Sequence, residues 1–161
     1  FGHSERYWVR RFLRVYREHD PAISLPAETR EVLRALDGRP LYVVTDGHKL
    51  VQQRKAQALG LAPLFKRIFI TRRYGLRCEK PSPEIFLKLL AAENCPPSHV
   101  VYIGDNPRKD FLGIRPLGFR TIRLLQGSHR RTIAAEGCEA ERRVRHLRDI
   151  LPIIRDWEKQ L

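Results

Sequence analysis

Three short stretches place residues able to do chemistry just behind apolar runs. In LYVVTDG, residues 41 to 47, the run stops at a hydroxyl, a carboxylate and a glycine: Thr45, Asp46 and Gly47. CEKPSPE, 78 to 84, carries Lys80 ahead of Pro81, and VVYIGD, 100 to 105, ends in Gly104-Asp105, with Asn106 next and Asp110 close behind. In open α/β sheets ligands bind beyond the carboxyl ends of the strands, so these residues are expected on one rim. A transferred phosphoryl group spreads negative charge over its oxygens and needs donors and cations around it. Thr45 offers a hydroxyl, and the backbone amides of Asp46 and Gly47, at a helix start, offer a nest for phosphate oxygens. Lys80, expected at a solvent-facing rim, adds a fixed positive charge. Asp105, and Asp110 through water, add hard oxygens of the kind Mg²⁺ takes.

Taken singly, each residue also has a structural reading. Thr45 can end a strand, Asp46-Gly47 can be turn chemistry, Lys80 can be one surface lysine among many, and Asp105 can cap a helix. Asp110 can complement a helix dipole. Their joint occurrence, in this order and behind apolar runs, favours the phosphate-binding reading.

The positioning elements follow from periodicity. Ser4 to His19 spaces Trp8, Phe12, Leu13, Val15 and Tyr16 as an amphipathic helix, stopped by Pro21. Helices are expected over 26–36, 48–59, 83–93, 107–116 and 147–160, and strands over 41–45, 67–71, 100–105, 119–124 and, more weakly, 143–146. Such alternation specifies a Rossmann-like parallel sheet with helices on both faces.

The formal charge is +13, but Lys and Arg are spread over 6–17, 30–39, 66–80 and 142–159 with Glu and Asp interleaved. A dispersed excess reads as a solvated surface that draws in small phosphorylated anions. No nucleic-acid-binding pattern accompanies it. Cys78, Cys95 and Cys138 are odd in number and lack metal spacing, which fits reduced structural thiols. With no apolar run of membrane length and no secretory signal, the expected compartment is the cytoplasm.

At these motifs the sequence resembles the haloacid dehalogenase superfamily of phosphohydrolases. LYVVTDG with Thr45 matches its second motif, EKPSPEIF with Lys80 its third, and VYIGDNPRKDFLGIRPLGFRTI with Asp105 and Asp110 its fourth. The likeness covers about residues 21 to 125. It implies a Mg²⁺-dependent phosphatase acting on a small phosphorylated metabolite, with Thr45 and Lys80 catalytic, Thr45, Asp46, Gly47 and Lys80 on the phosphate, and Asp105 and Asp110 on the metal.

One departure stands out. The family's first motif, Asp-x-Asp, whose first carboxylate attacks phosphorus, occurs nowhere in these 161 residues. The chain also contains no Met and begins at Phe1. The nucleophile is therefore expected upstream of residue 1, together with a central strand and most of a cap. In that reading residues 1–20 are a remnant of a helical cap, 21–161 form the α/β core, and the fragment is inactive alone. The alternatives are a non-catalytic phosphate- and metal-binding module and, on charge alone, a nucleic-acid-binding protein with salt-dependent affinity.

Overall fold

The computed structural model describes residues 4–160. In chain order the elements are α1 (Glu5–Glu18), α2 (Ala27–Ala35), β1 (Tyr42–Thr45), α3 (Lys49–Ala58), β2 (Arg67–Ile70), α4 (Glu84–Glu93), β3 (Val101–Gly104), β4 (Arg120–Leu124), β5 (Arg142–Val144) and α5 (Ile150–Glu158). Short 3₁₀ turns join several of them, and every strand pairing is parallel. The α/β class read from the alternation of apolar runs is the class observed. Among the described residues no helix is long and apolar enough to cross a membrane.

The chain divides into two compact units, one of Phe1–Leu25 with Arg39–Leu76 and one of Pro26–Gly38 with Arg77–Leu161. In the first, β1 lies parallel to β2 with Thr45 opposite Ile70. Phe69 and Ile70 are buried, whereas all four residues of β1 are only half-buried. Among the described residues β1 pairs with β2 alone, so its other edge carries no ladder. Arg54 of α3 bonds to Asp20, just past the end of α1, and ties the two helices together.

The second unit is built on the order β3-β4-β5. Strand β4 is central and buries Thr121, Ile122 and Arg123, while β3 is half-buried and pairs only with β4 among the described residues. Helix α4 turns Ile85, Phe86 and Leu89 inward, and α5 turns Ile150, Ile154 and Trp157 inward, each set at helical spacing. Burial of each such side chain contributes about 1.5–3 kcal/mol. The Arg123 guanidinium holds the long 126–141 connection, donating to Glu139 at 2.9 Å and to the carbonyls of His129 and Thr132 at 3.0 and 2.6 Å. Buried Cys78 donates its thiol to Glu84 at 3.0 Å, a packing role.

One expected element is absent. Residues 107–116 form consecutive turns leading into a 3₁₀ turn at Arg115–Leu117 rather than an α-helix. Two long-range demands override the local preference. The Asp110 carboxylate folds back onto the amides of Asp105 and Asn106, and the backbone at Gly113 presses against the Pro81 carbonyl so closely that a Cβ would lie 1.7 Å from its oxygen. The second strand is also one residue shorter than the sequence suggests, because Thr71 opens a 3₁₀ turn.

Candidate active site

In the first unit the β1–α3 turn carries Thr45, Asp46 and Gly47. The Thr45 hydroxyl donates to Gln52 Oε1 at 3.1 Å, and the buried Thr71 hydroxyl donates to Asp46 Oδ1 at 2.9 Å. Asp46 is thereby turned toward the end of β2. The Gly47 amide donates to nothing among the described residues. With φ of +120°, position 47 has a backbone conformation that favours glycine and strains any side chain. His48 then caps α3; burial first, and next the charges of Arg17, Arg72 and Lys49, lower its pKa below the ordinary histidine value.

In the second unit a buried charge cluster forms around Asp110, which is 3% exposed. Its Oδ1 accepts from Lys80 Nζ at 2.7 Å and from the Tyr102 hydroxyl at 3.2 Å. Its Oδ2 accepts from the amides of Asp105 and Asn106 at 3.1 and 2.8 Å. Lys80 also donates to the Tyr102 hydroxyl at 3.1 Å. Burial works against the Lys80 charge, but contact with Tyr102 and Asp110 outweighs it and raises the ammonium's pKa above the ordinary lysine value. Burial, and then Asp110, push the Tyr102 phenol up as well, against the opposing pull of Lys80. The group is thus a fixed ammonium, a carboxylate and a neutral phenol.

Two glycines permit this arrangement. A Cβ at Gly104 would lie 2.5 Å from Asp110 Oδ2, and Gly113 admits the Pro81 carbonyl that follows Lys80. The Lys80–Pro81 peptide is cis. Lys80 is not the rim lysine expected: its side chain is 14% exposed and paired inside the unit.

Four donors occupy both oxygens of Asp110, whereas the Asp105 carboxylate accepts no hydrogen bond and pairs with no cation among the described residues. Asp105 stands at the end of β3, with Gly127 close to its Oδ2. It therefore suits a hard cation as a direct ligand, whereas Asp110 suits the task of holding Lys80 and the 105–106 amides. Among the described residues no group of three or more His, Cys, Asp and Glu side chains comes together as a metal site.

Of the predicted residues, Lys80 and Asp110 meet side chain to side chain, with the backbone of Asp105 beside them; Thr45, Asp46 and Gly47 share one turn in the other unit. Sequence reasoning passed over Tyr102, Thr71 and Gln52. Tyr102 was readable as a polar tip two residues before Gly104, on the same face of β3. Thr71 repeats at the end of β2 the hydroxyl that ends β1.

The model of the haloacid dehalogenase-like hydrolases matches residues 3–118. Over 92 residues the chain is 33% identical to a glyceraldehyde 3-phosphate phosphatase of Methanopyrus kandleri, covering 57% of this chain and 39% of that protein. Over 85 residues it is 34% identical to a phosphoserine phosphatase of Thermus thermophilus, covering 53% of this chain and 33% of the other. The match thus spans well under half the length of these relatives. Its fold is similar to that of a haloacid dehalogenase-like family hydrolase from Xanthomonas campestris, with a TM-score of 0.72 at 21% identity, covering 98% of this chain and 61% of that one.

Proposed function

Because the chain belongs to the haloacid dehalogenase-like hydrolases, we propose that it forms part of a Mg²⁺-dependent phosphomonoester hydrolase acting on a small phosphorylated metabolite. The observation that carries this reading is the fixed ammonium of Lys80, locked by Asp110 and Tyr102 beside the strand end that bears Asp105. Charge placed in advance where phosphoryl oxygens develop negative charge stabilises the transition state without reorganisation. The phosphatases named among the relatives support the same reaction class.

In this reading the Thr45 hydroxyl and the amides of Asp46 and Gly47 bind phosphate oxygens, and Lys80 neutralises them. Asp105 ligates the metal directly, and Asp110 serves the metal site by fixing the backbone at Asp105 and the Lys80 charge. Bound there, Mg²⁺ would add neutralising charge on the phosphate. The attacking carboxylate comes from an Asp-x-Asp segment outside the 161 residues, forming an aspartyl-phosphate that water then hydrolyses. Residues 1–20 are the remnant of a helical cap, 21–161 the core, and the compartment the cytoplasm.

The test is Asp105→Asn in the full-length protein, since a neutral amide is a poorer ligand for a hard dication. We expect Mg²⁺ affinity, read by titration calorimetry, and p-nitrophenyl phosphate turnover to fall together by roughly tenfold or more. Unchanged Mg²⁺ affinity would remove Asp105 from the site. Phosphate binding without turnover in the unsubstituted full-length protein would favour a non-catalytic module.

A further inference from the structure

Helix α1 buries none of its described residues, and its arginines are exposed along with its apolar side chains. Its apolar residues Phe12, Val15 and Tyr16 are 65%, 59% and 53% exposed. Arg10, Arg11, Arg14 and Arg17, together with Tyr7 and Leu13, line a cleft of about 650 Å³ whose other wall is the start of α3, at His48 and Leu50.

The cleft is strongly cationic. Against its four guanidiniums stands one carboxylate, Glu18, which pairs with Arg14 at 3.4 Å. Arg11 donates to the Tyr7 hydroxyl at 3.3 Å, while Arg10 and Arg17 make no hydrogen bond or ion pair among the described residues. Like charges one turn apart on a helix repel, and an anion between them relieves that repulsion. His48 Nδ1 is buried in the same cleft without a partner, and the lowered pKa of that ring, due first to burial and then to Arg17, Arg72 and Lys49, reports the same positive field. The contact between Arg54 and Asp20 holds the end of α1 to α3, and the α3 wall begins directly after Thr45-Asp46-Gly47.

We propose that this cleft is an oxyanion subsite, so that the phosphomonoester taken by the protein carries a second anionic group, a carboxylate or a further phosphate. That the anion belongs to a phosphomonoester rests on the phosphatase reading, but the subsite itself rests on the cleft alone. Its volume suits a small metabolite, and guanidinium forks match carboxylate and phosphate geometry.

The experiment uses the full-length protein and its R10Q/R17Q variant, whose two altered residues make no hydrogen bond or ion pair that the fold would lose. The readout is a ratio of kcat/KM values, 3-phosphoglycerate over glycerol 3-phosphate for a carboxylate and fructose 1,6-bisphosphate over fructose 6-phosphate for a second phosphate. In the unsubstituted protein at least one ratio should exceed tenfold, and in the variant that ratio should fall by at least tenfold. The arm that responds identifies which oxyanion the cleft takes. Ratios near one in the unsubstituted protein, or a preference untouched by the substitutions, overturn the proposal. Malonate and pyrophosphate titrations by calorimetry separate the two readings if no ester is hydrolysed. Binding weakened at least tenfold in R10Q/R17Q keeps the subsite while the phosphatase reading falls, and binding unaltered by the substitutions, or absent, refutes the subsite as well.

Discussion

Lys80 and Asp110 show how one ion pair serves stability and chemistry together. Removing one partner of a buried pair leaves an uncompensated charge and typically costs about 3–5 kcal/mol. Asp110, at 3% exposure, is the partner that Lys80→Ala would strand. In the full-length protein Lys80→Ala should therefore lower turnover by roughly 100-fold or more and also lower the urea midpoint. Lys80→Ala/Asp110→Asn should recover much of the stability, since no buried charge is left unpaired, and none of the turnover. A double variant as active as the unsubstituted protein would remove the Lys80 charge from the mechanism, and a single variant of full stability would contradict the buried pairing.

Among the elements, the site depends most on a connection that is neither helix nor strand. The 105–118 turns exist in their observed form because the Asp110 carboxylate takes two backbone amides and Gly113 lies against the Pro81 carbonyl. Gly113→Ala places a Cβ where backbone already stands, and neither side of the contact is a flexible side-chain end. The loop bearing Lys80 must then shift, which should cost at least about 3 kcal/mol, the upper end of overpacking penalties. We expect a lower urea midpoint together with a fall in kcat, because Lys80 moves with Pro81. A neutral effect on both would mean that the 113–81 contact does not position the site.

For the whole molecule, the described strands leave one edge of β1 and one edge of β3 without a ladder partner, and both strands are half-buried although their sequences are apolar. Unpaired apolar edges invite association and leave backbone groups unsatisfied. The 161-residue chain on its own should therefore hydrolyse no p-nitrophenyl phosphate in the presence of Mg²⁺ and should sediment as concentration-dependent oligomers. A longer form that supplies an Asp-x-Asp segment should show turnover and slower hydrogen exchange at the amides of β1 and β3. Robust hydrolysis by the short chain would place the nucleophile within these residues, with Asp46 the first carboxylate to substitute.

What the sequence by itself determined is local in origin. Apolar runs ending at Thr45 and Asp105, a proline-bounded α4 and helical spacing in α5 depend on side-chain periodicity and turn chemistry within a few residues, so the α/β class and the strand ends that carry the candidate site were legible. What the tertiary structure decided involves partners far apart in the chain. Lys80 reaches Asp110 across 30 residues, and that pairing turns a surface lysine into a buried one. Tyr102 became part of the cluster because its hydroxyl, and not only its ring, met both of them. The helix expected over 107–116 gave way because backbone hydrogen bonds to a buried carboxylate, and a carbonyl with room only for glycine, outweigh helix propensities of well under 1 kcal/mol per residue, roughly. Local patterns specify where a chain can form an element, but a buried polar group must find its partners wherever the fold brings them, and no window of sequence contains that information.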